Sequence, residues 1–301
     1  RLKLVGRGFK HLPVEIGLLT WLRILDLGAT ALRALPESIG ELRELRTLDL
    51  SWLEIPALPE SIGHLRQLQT LELMGIHLRT LPESFGQLQS LQTLTFSNAY
   101  SLIALPESFG QLKSLHTLDL NTSYALKTLP ESFGQLRSLR MLDLEHSGLD
   151  MLPESFGQLE RLDELYLYGT SLKALPESLS QLASLDRLSV DLHDIKALPE
   201  SLGQFTRLKH LSVSCLALET LPESLGQLTN LESLSVSSEA LEALPESLSQ
   251  LASLTSLHLY NLALTELPRW IMRLPQLREL TLYDLQLSTL PDWLSDLTQL
   301  E

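Results

Sequence analysis

Cysteine and histidine side chains are the first candidates for chemistry in this sequence. Cys215 is the single cysteine, and His210 precedes it by five residues. A catalytic thiol needs a lowered pKa and a base beside it, and no nucleophile motif surrounds Cys215. The histidines, among them His193, His210 and His258, show none of the spacings of zinc ligands. We therefore expect no catalytic residue, no metal site and no cofactor.

Carboxylates are the second candidates, because an acidic residue recurs at steps of 23 or 24 residues in the first half of the chain, with one step interrupted by Thr95. These residues are Asp26, Asp49, Glu72, Asp119 and Asp143. A calcium ion takes six to eight oxygen ligands that wrap around it, which carboxylates in a straight line do not provide. The spacing favours attraction of a basic partner. Such attraction requires a regular structural element that aligns the carboxylates on one surface.

An internal repeat determines which structural elements hold the carboxylates. Leu-Pro occurs thirteen times in register, from Leu12-Pro13 to Leu290-Pro291, at steps of 23 residues apart from two steps of 24. The unit reads L-x-x-L-x-L-x(4)-L-x-x-L-P-E-S-φ-G-x-L-x-x, where φ is apolar, and its period is that of leucine-rich repeats. We predict an α/β fold, a right-handed curved solenoid with a parallel concave sheet and short helical or 3-10 convex turns. One domain of about thirteen coils should cover residues 1–301, as a fragment of a longer protein.

Each coil should contribute one short strand and one return turn. In the strand, Leu48 and Leu50 are two residues apart and point to the same face, which becomes the core. The proline suits the first turn of a helix, and the glutamate after it faces the positive end of a helical turn. Four successive phenylalanines should stack through the core, and they are Phe85, Phe109, Phe133 and Phe156. Because no coil buries its leucines alone, stacking supplies the stability.

The residue between the last two leucines of each strand points out of the predicted concave face. Neighbouring strands lie about 4.8 Å apart, and two carboxylates at that distance repel by roughly 0.9 kcal/mol even in water. Retaining carboxylates there favours a surface kept for binding; a column that only keeps the chain soluble is the alternative. Cys215 should stand at the rim of this face.

We expect the concave face to bind a protein, through acidic and aromatic side chains in two regions. The candidate contact residues are Asp26, Asp49, Glu72, Asp119, Asp143, Glu145, Glu164, Tyr166 and Tyr168, and, beyond a strip of serines, His258, Tyr260 and Tyr283. Two alternatives stay open. Tyr100 and Tyr124 either pack on the solenoid or project for contact, and Trp270 and Trp293 form either terminal packing or a docking surface.

Composition narrows the class of partner. The net charge of -14 and the pI near 5.0 argue against nucleic acid and anionic membranes and favour a basic protein surface. No apolar run approaches 18 residues, so we expect no membrane insertion. One cysteine cannot form the disulfides that close extracellular solenoids, which indicates a reducing compartment or a bacterial origin. We expect an intracellular, monomeric protein.

The segments LPESIGELREL, LPESFGQLQSL and LPESLGQLTNL resemble the short "LPxxIGxLxxL" class of leucine-rich repeats. That class includes animal Ras-group intracellular repeat proteins, plant disease-resistance receptors and bacterial effectors injected by type III secretion. The resemblance implies recognition of a host protein in the host cytoplasm, and it supplies no catalytic residue. The alternatives are a signalling scaffold, or the substrate-recognition arm of an enzyme, such as a ubiquitin ligase or nucleotidyl transferase, whose catalytic domain lies outside this chain.

Overall fold

The computed structural model describes residues 1–4, 6, 8–192 and 195–301. Among the described residues, the coils consist of a short strand followed by a five-residue 3-10 turn. The chain divides into two compact units, Arg1–Leu162 (unit 1) and Asp163–Glu301 (unit 2). Within each unit, the strands pair in parallel. The predicted fold class, a leucine-rich-repeat solenoid with short 3-10 turns, is confirmed.

Unit 1 contains seven of the strands in chain order. Strands β1 to β7 are Leu2–Lys3, Ile24–Asp26, Thr47–Asp49, Thr70–Glu72, Thr93–Thr95, Thr117–Asp119 and Met141–Asp143. The 3-10 turns that follow them are Val14–Leu18, Glu37–Glu41, Glu60–His64, Glu83–Gln87, Glu107–Gln111, Glu131–Gln135 and Glu154–Gln158.

Unit 2 repeats the plan with longer strands. Strands β8 to β13 are Glu164–Leu167, Arg187–Asp191, His210–Ser214, Ser233–Ser237, Ser256–Tyr260 and Glu279–Tyr283. The turns are Glu177–Gln181, Glu200–Gln204, Glu223–Gln227, Glu246–Gln250, Arg269–Arg273 and Asp292–Asp296. A residue with positive φ, such as Thr122 at 61°, follows most strands of unit 1 by three residues.

The repeated leucines and the phenylalanines form the core of unit 1. Leu48, Leu50 and Leu118 are completely buried, and burying one such side chain contributes about 1.5–3 kcal/mol. The four phenylalanine rings stack in sequence with centroids 6.1, 6.2 and 6.1 Å apart and planes within 4° of parallel. The predicted phenylalanine stack is therefore confirmed.

The proline and glutamate columns connect consecutive coils. Pro106 stands just before its 3-10 turn in an extended conformation, with φ -70° and ψ 157°, rather than inside the first turn. Its carbonyl accepts the N–H of Phe109 at 2.9 Å. The carboxylate of Glu107 accepts the backbone N–H of Ser132 in the following coil at 3.3 Å. The helical turn that this glutamate faces is thus the next coil's, and the glutamate holds two coils together.

The glycine column allows neighbouring turns to approach closely. A Cβ atom on Gly110 would lie 2.2 Å from the carbonyl oxygen of Ser132 and 2.7 Å from its Cβ. In unit 2, Ser180 and Ser249 occupy the equivalent position. A Cβ needs more room than glycine leaves, so the turns that follow these serines must stand further away.

The two C-terminal tryptophans differ in burial. Trp270 is only 6% exposed, so its ring belongs to the packing of unit 2. Trp293 is half-buried and lines an open groove of about 830 Å³ together with Glu242, Glu266 and Arg269. The docking alternative therefore does not apply to Trp270.

Candidate functional site

The acidic residues of unit 1 lie side by side on one face of the strands. We call this the strand face: the side chains of the strands that point away from the buried leucines. Strand pairing places Asp49 between Asp26 and Glu72, and Asp119 opposite Asp143. The predicted column of neighbouring carboxylates, here called the acidic column, is therefore present, and each member is half-buried.

The aspartates of this column also have a structural role that the sequence reasoning missed. Each accepts the backbone N–H two residues later. Asp49 bonds to Ser51 at 2.8 Å, Asp143 bonds to Glu145 at 2.8 Å, and Asp26 and Asp119 do the same at 3.2 and 2.9 Å. The next residue in each case has a positive φ between 52° and 62°. An aspartate ahead of a tight turn is a recognised turn signal, and it could have been read from the sequence.

This role changes the argument from repulsion. The cost of placing aspartates side by side is offset in part by the backbone hydrogen bonds they accept, so repulsion alone does not indicate binding. The negative charge of Asp26 is further compensated by Lys3, whose Nζ lies 2.6 Å from the Oδ2 atom of Asp26. In the middle of the unit, the Ser97 hydroxyl donates a hydrogen bond that stabilises the carboxylate of Asp119. Glu72 and Glu145 show no such turn bond among the described residues.

Three carboxylates of unit 1 are held with raised pKa values. Burial raises the pKa of Glu72, and the charges of Asp49 and Asp26 raise it further. Burial raises the pKa of Asp143, with a smaller contribution from Asp119 and a partial offset by the N–H of Glu145. Burial and then the charge of Asp143 raise the pKa of Glu145. A cation supplied from outside would stabilise the ionised form of all three.

The predicted residues Glu164, Tyr166 and Tyr168 lie in unit 2 and form a separate candidate surface. The Tyr166 hydroxyl donates to Glu164 Oε2 at 2.8 Å, and the Tyr168 side chain is 43% exposed. Strand pairing places Glu164 opposite Arg187. The acidic character of this surface is therefore reduced, because opposite charges on neighbouring strands compensate each other.

The second predicted region, also in unit 2, is an aromatic cluster. The rings of His258 and Tyr260 stack with centroids 6.2 Å apart, and Tyr260 and Tyr283 are 6.3 Å apart at an angle of 56°. His258 Nδ1 lies 3.0 Å from the Thr281 hydroxyl. Strand pairing aligns the preceding serines into columns, for example Ser212 beside Ser235. The structure thus brings the three predicted residues together beside an uncharged strip.

Cys215 lies in the core, not at the rim of the strand face, and the prediction of its position was wrong. Strand β10 continues to Ser214, so the next side chain points inward and is fully buried. Burial raises the pKa of the Cys215 thiol to about 11, and the charge of Asp191 adds to this effect. The thiol is protonated at neutral pH and poorly suited to nucleophilic attack.

The described residues contain no group of three or more His, Cys, Asp or Glu side chains that could hold a metal ion; His193 lies outside them. No described helix has the length and apolar character to cross a membrane.

The chain matches the family model described as a leucine-rich repeat region over residues 37–125 and 131–301. No curated protein matches it significantly. Among solved structures, a leucine-rich-repeat protein of Leptospira interrogans is 30% identical, with a TM-score of 0.52 and coverage of 100% of this chain and 94% of that chain. The leucine-rich-repeat domain of the type III effector XopL is 29% identical, with a TM-score of 0.65 and coverage of 71% and 75%. The PEPR1–AtPEP1 crystal structure is 27% identical, with a TM-score of 0.66 and coverage of 96% and 46%.

These matches support the coarse functional class. Leucine-rich-repeat domains are generally protein–protein interaction modules and are typically binding scaffolds without catalysis. The family match spans more than half of the residues, and the Leptospira protein is similar along nearly its whole length. The chain belongs to the leucine-rich-repeat family.

Proposed function

We propose that this chain is the target-recognition module of a bacterial effector and that it binds a basic segment of a host protein through the strand face of unit 1. The observation that carries the proposal is the group of carboxylates with raised pKa values, Glu72, Asp143 and Glu145. Burial and like charges hold their ionised forms at a cost, and a basic partner would remove part of it.

The turn role of the aspartates accounts for Asp143 but not for Glu72 and Glu145. The backbone N–H of Glu145 donates the turn hydrogen bond to Asp143, so the Glu145 carboxylate itself has no part in this turn bond. This carboxylate adds negative charge beside Asp143. Glu72 extends the column formed by Asp26 and Asp49. A polar residue without charge at these two positions would fold at least as well, so their charge supports a binding role.

The effector assignment rests on similarity. The repeat domain of the type III effector XopL is 29% identical over 71% of this chain. The proposal places the chain in the host cytoplasm as a monomer. Reading the full-length gene tests it: a secretion segment ahead of the repeats supports the effector, whereas an adjoining catalytic domain favours the alternative of an enzyme's substrate-recognition arm.

The binding face is tested by selecting random twelve-residue peptides from a display library on the immobilised chain. We expect the enriched peptides to be rich in lysine and arginine. The same selection on the double variant Asp119→Asn/Asp143→Asn should lose that enrichment, since asparagine keeps an acceptor oxygen for the turn and removes only the charge.

The matched control is Glu131→Gln/Glu154→Gln, which removes the same charge from two exposed glutamates of the 3-10 turns. This variant should enrich the same peptides as the unmodified chain. Enrichment of neutral or acidic peptides on the unmodified chain, or equal losses in the two variants, would contradict the proposed face.

A further inference from the structure

Two exposed tyrosines in unit 1 form a pair outside the acidic column. Tyr100 and Tyr124 are 52% and 55% exposed, and their rings are stacked with centroids 5.8 Å apart and planes 10° from parallel. They occur in the two coils that carry an extra residue. A single exposed aromatic residue needs no explanation, but two stacked, solvent-facing rings in consecutive coils form an ordered apolar surface. Of the two alternatives left open by the sequence, this exposure favours projection.

The backbone that carries this tyrosine pair is well fixed. The Tyr100 hydroxyl donates to Asn98 Oδ1 at 3.0 Å, and the N–H of Asn98 bonds to the carbonyl of Asn121 in the next coil at 2.9 Å. Behind Tyr124, Gly148 approaches so closely that a Cβ there would lie 1.9 Å from the Tyr124 carbonyl oxygen. Because the rings are already ordered, a ligand that stacks on them loses little binding free energy to the conformational entropy of the tyrosine side chains.

The charge of the neighbouring coil positions indicates what would stack on the tyrosine pair. Tyr124 follows Asp119 by five residues in the same coil, and the next coil contributes Asp143 and Glu145. An aromatic face attracts cations, and the carboxylates of this coil and the next raise the local concentration of cations along unit 1. The guanidinium of arginine is planar and stacks on aromatic rings, whereas the ammonium of lysine is a compact, strongly hydrated charge.

We propose that the Tyr100–Tyr124 pair binds arginine side chains of the basic partner and makes unit 1 selective for arginine over lysine. This inference rests on the proposed function, because the acidic column attracts the basic segment. It adds a separate element: carboxylates already prefer the guanidinium through paired hydrogen bonds, and the tyrosine rings add stacking on the planar cation, which substitution of the tyrosines alone would remove.

The test measures the affinities of octa-arginine and octa-lysine, two peptides of equal charge, by titration calorimetry with the full chain. We expect the unmodified chain to bind octa-arginine about five-fold more tightly or better, from two exposed cation–π contacts. The double variant Tyr100→Leu/Tyr124→Leu should lose most of this ratio while its octa-lysine affinity changes by less than about two-fold. Tyr100→Phe/Tyr124→Phe, which keeps both rings, should retain the ratio.

Trp21→Leu serves as a matched control, since Trp21 is an aromatic side chain of unit 1 with 70% exposure that lies apart from the pair, before β2. This variant should keep the arginine ratio. If the tyrosine double variant keeps the ratio while Asp119→Asn/Asp143→Asn weakens both peptides, the tyrosine inference fails and the proposed face stands. If neither peptide binds, or the aspartate variant binds both peptides unchanged, the proposed face fails and the tyrosine inference fails with it.

Discussion

Gly110 tests how closely the turns of neighbouring coils are packed. Replacing it with alanine adds a Cβ at 2.2 Å from the Ser132 carbonyl oxygen and 2.8 Å from its carbonyl carbon. An ordinary carbon–oxygen contact is about 3.3 Å, so the turn that contains Ser132 must move away by roughly 1 Å. These atoms are backbone and cannot rotate aside, and the movement also loosens the hydrogen bond between Glu107 and Ser132.

The expected cost of Gly110→Ala is about 1–3 kcal/mol of unfolding free energy, the range for overpacking. Serine at the equivalent positions 180 and 249 shows that a wider spacing is compatible with the fold, so we expect a loss of stability rather than a failure to fold. The matched control is Gly8→Ala, because a Cβ on Gly8 meets nothing within 4 Å.

The measurement is urea denaturation followed by circular dichroism. Gly8→Ala should be neutral or stabilise by up to about 1 kcal/mol through reduced freedom of the unfolded chain. If the unfolding free energies of the two variants agree within about 0.5 kcal/mol, the close approach of the turns does not exist as described.

Three further predictions concern the core, a turn and the acidic column. Leu118→Ala removes a completely buried side chain and should cost about 2–5 kcal/mol in urea denaturation, whereas Leu18→Ala, at a residue 71% exposed, should change stability by less than about 0.5 kcal/mol; similar costs would contradict the assigned core. Thr122→Asn should raise the melting temperature, with a gain of about 1 kcal/mol, because φ is 61° there and asparagine adopts this conformation more readily than a β-branched residue; a lower melting temperature would contradict this. Burial raises the pKa of Asp143 in the folded chain above its ordinary value of 3.8. The ionised carboxylate therefore lowers the unfolding free energy at pH values above the raised pKa, and this loss disappears as the pH falls below 3.8. Asp143→Asn should therefore stabilise the chain at neutral pH, by less than about 1 kcal/mol for a half-exposed group, and unfolding curves across pH should show this gain vanishing on acidification; a gain independent of pH would contradict it.

The repeated positions of the fold could be predicted because their spacing alone determines their surroundings. Leu48 and Leu50, two residues apart on a strand, have to share a face, and Phe109 stands between equivalent residues in consecutive coils. A parallel stack gives each of these side chains the same neighbour in every coil, so one register assignment places them all.

The positions next to the strand ends could not be predicted in this way, because they depend on where each strand stops. The repeat pattern predicts Cys215 at the rim, but β10 runs to Ser214 and the thiol points inward. The sequence argument for Asp119 uses only its charge, whereas in the structure its carboxylate accepts a hydrogen bond from the turn that follows. The stacking of Tyr100 on Tyr124 depends on loop conformations that the repeat period does not specify.

The single-domain assignment over residues 1–301, the effector role and the host-cytoplasmic location stay predictions. What the chain shares with its relatives is the scaffold, and the residues that would distinguish partners lie outside the repeated leucines. Fold similarity consequently supports a protein-binding class without identifying the partner.

The most direct test of the proposed binding face is the association rate of octa-lysine with the chain, measured by surface plasmon resonance over a range of salt concentrations. Charges act on association over about 8 Å at physiological ionic strength, and mutating a steering charge mainly alters the association rate and its salt dependence. We predict that Asp119→Asn/Asp143→Asn slows association several-fold at low salt and flattens the salt dependence, whereas Glu131→Gln/Glu154→Gln leaves both close to those of the unmodified chain. A slower, flatter response in the glutamate variant with an unchanged aspartate variant would show that the basic partner binds elsewhere and that the acidic column serves only folding and solubility.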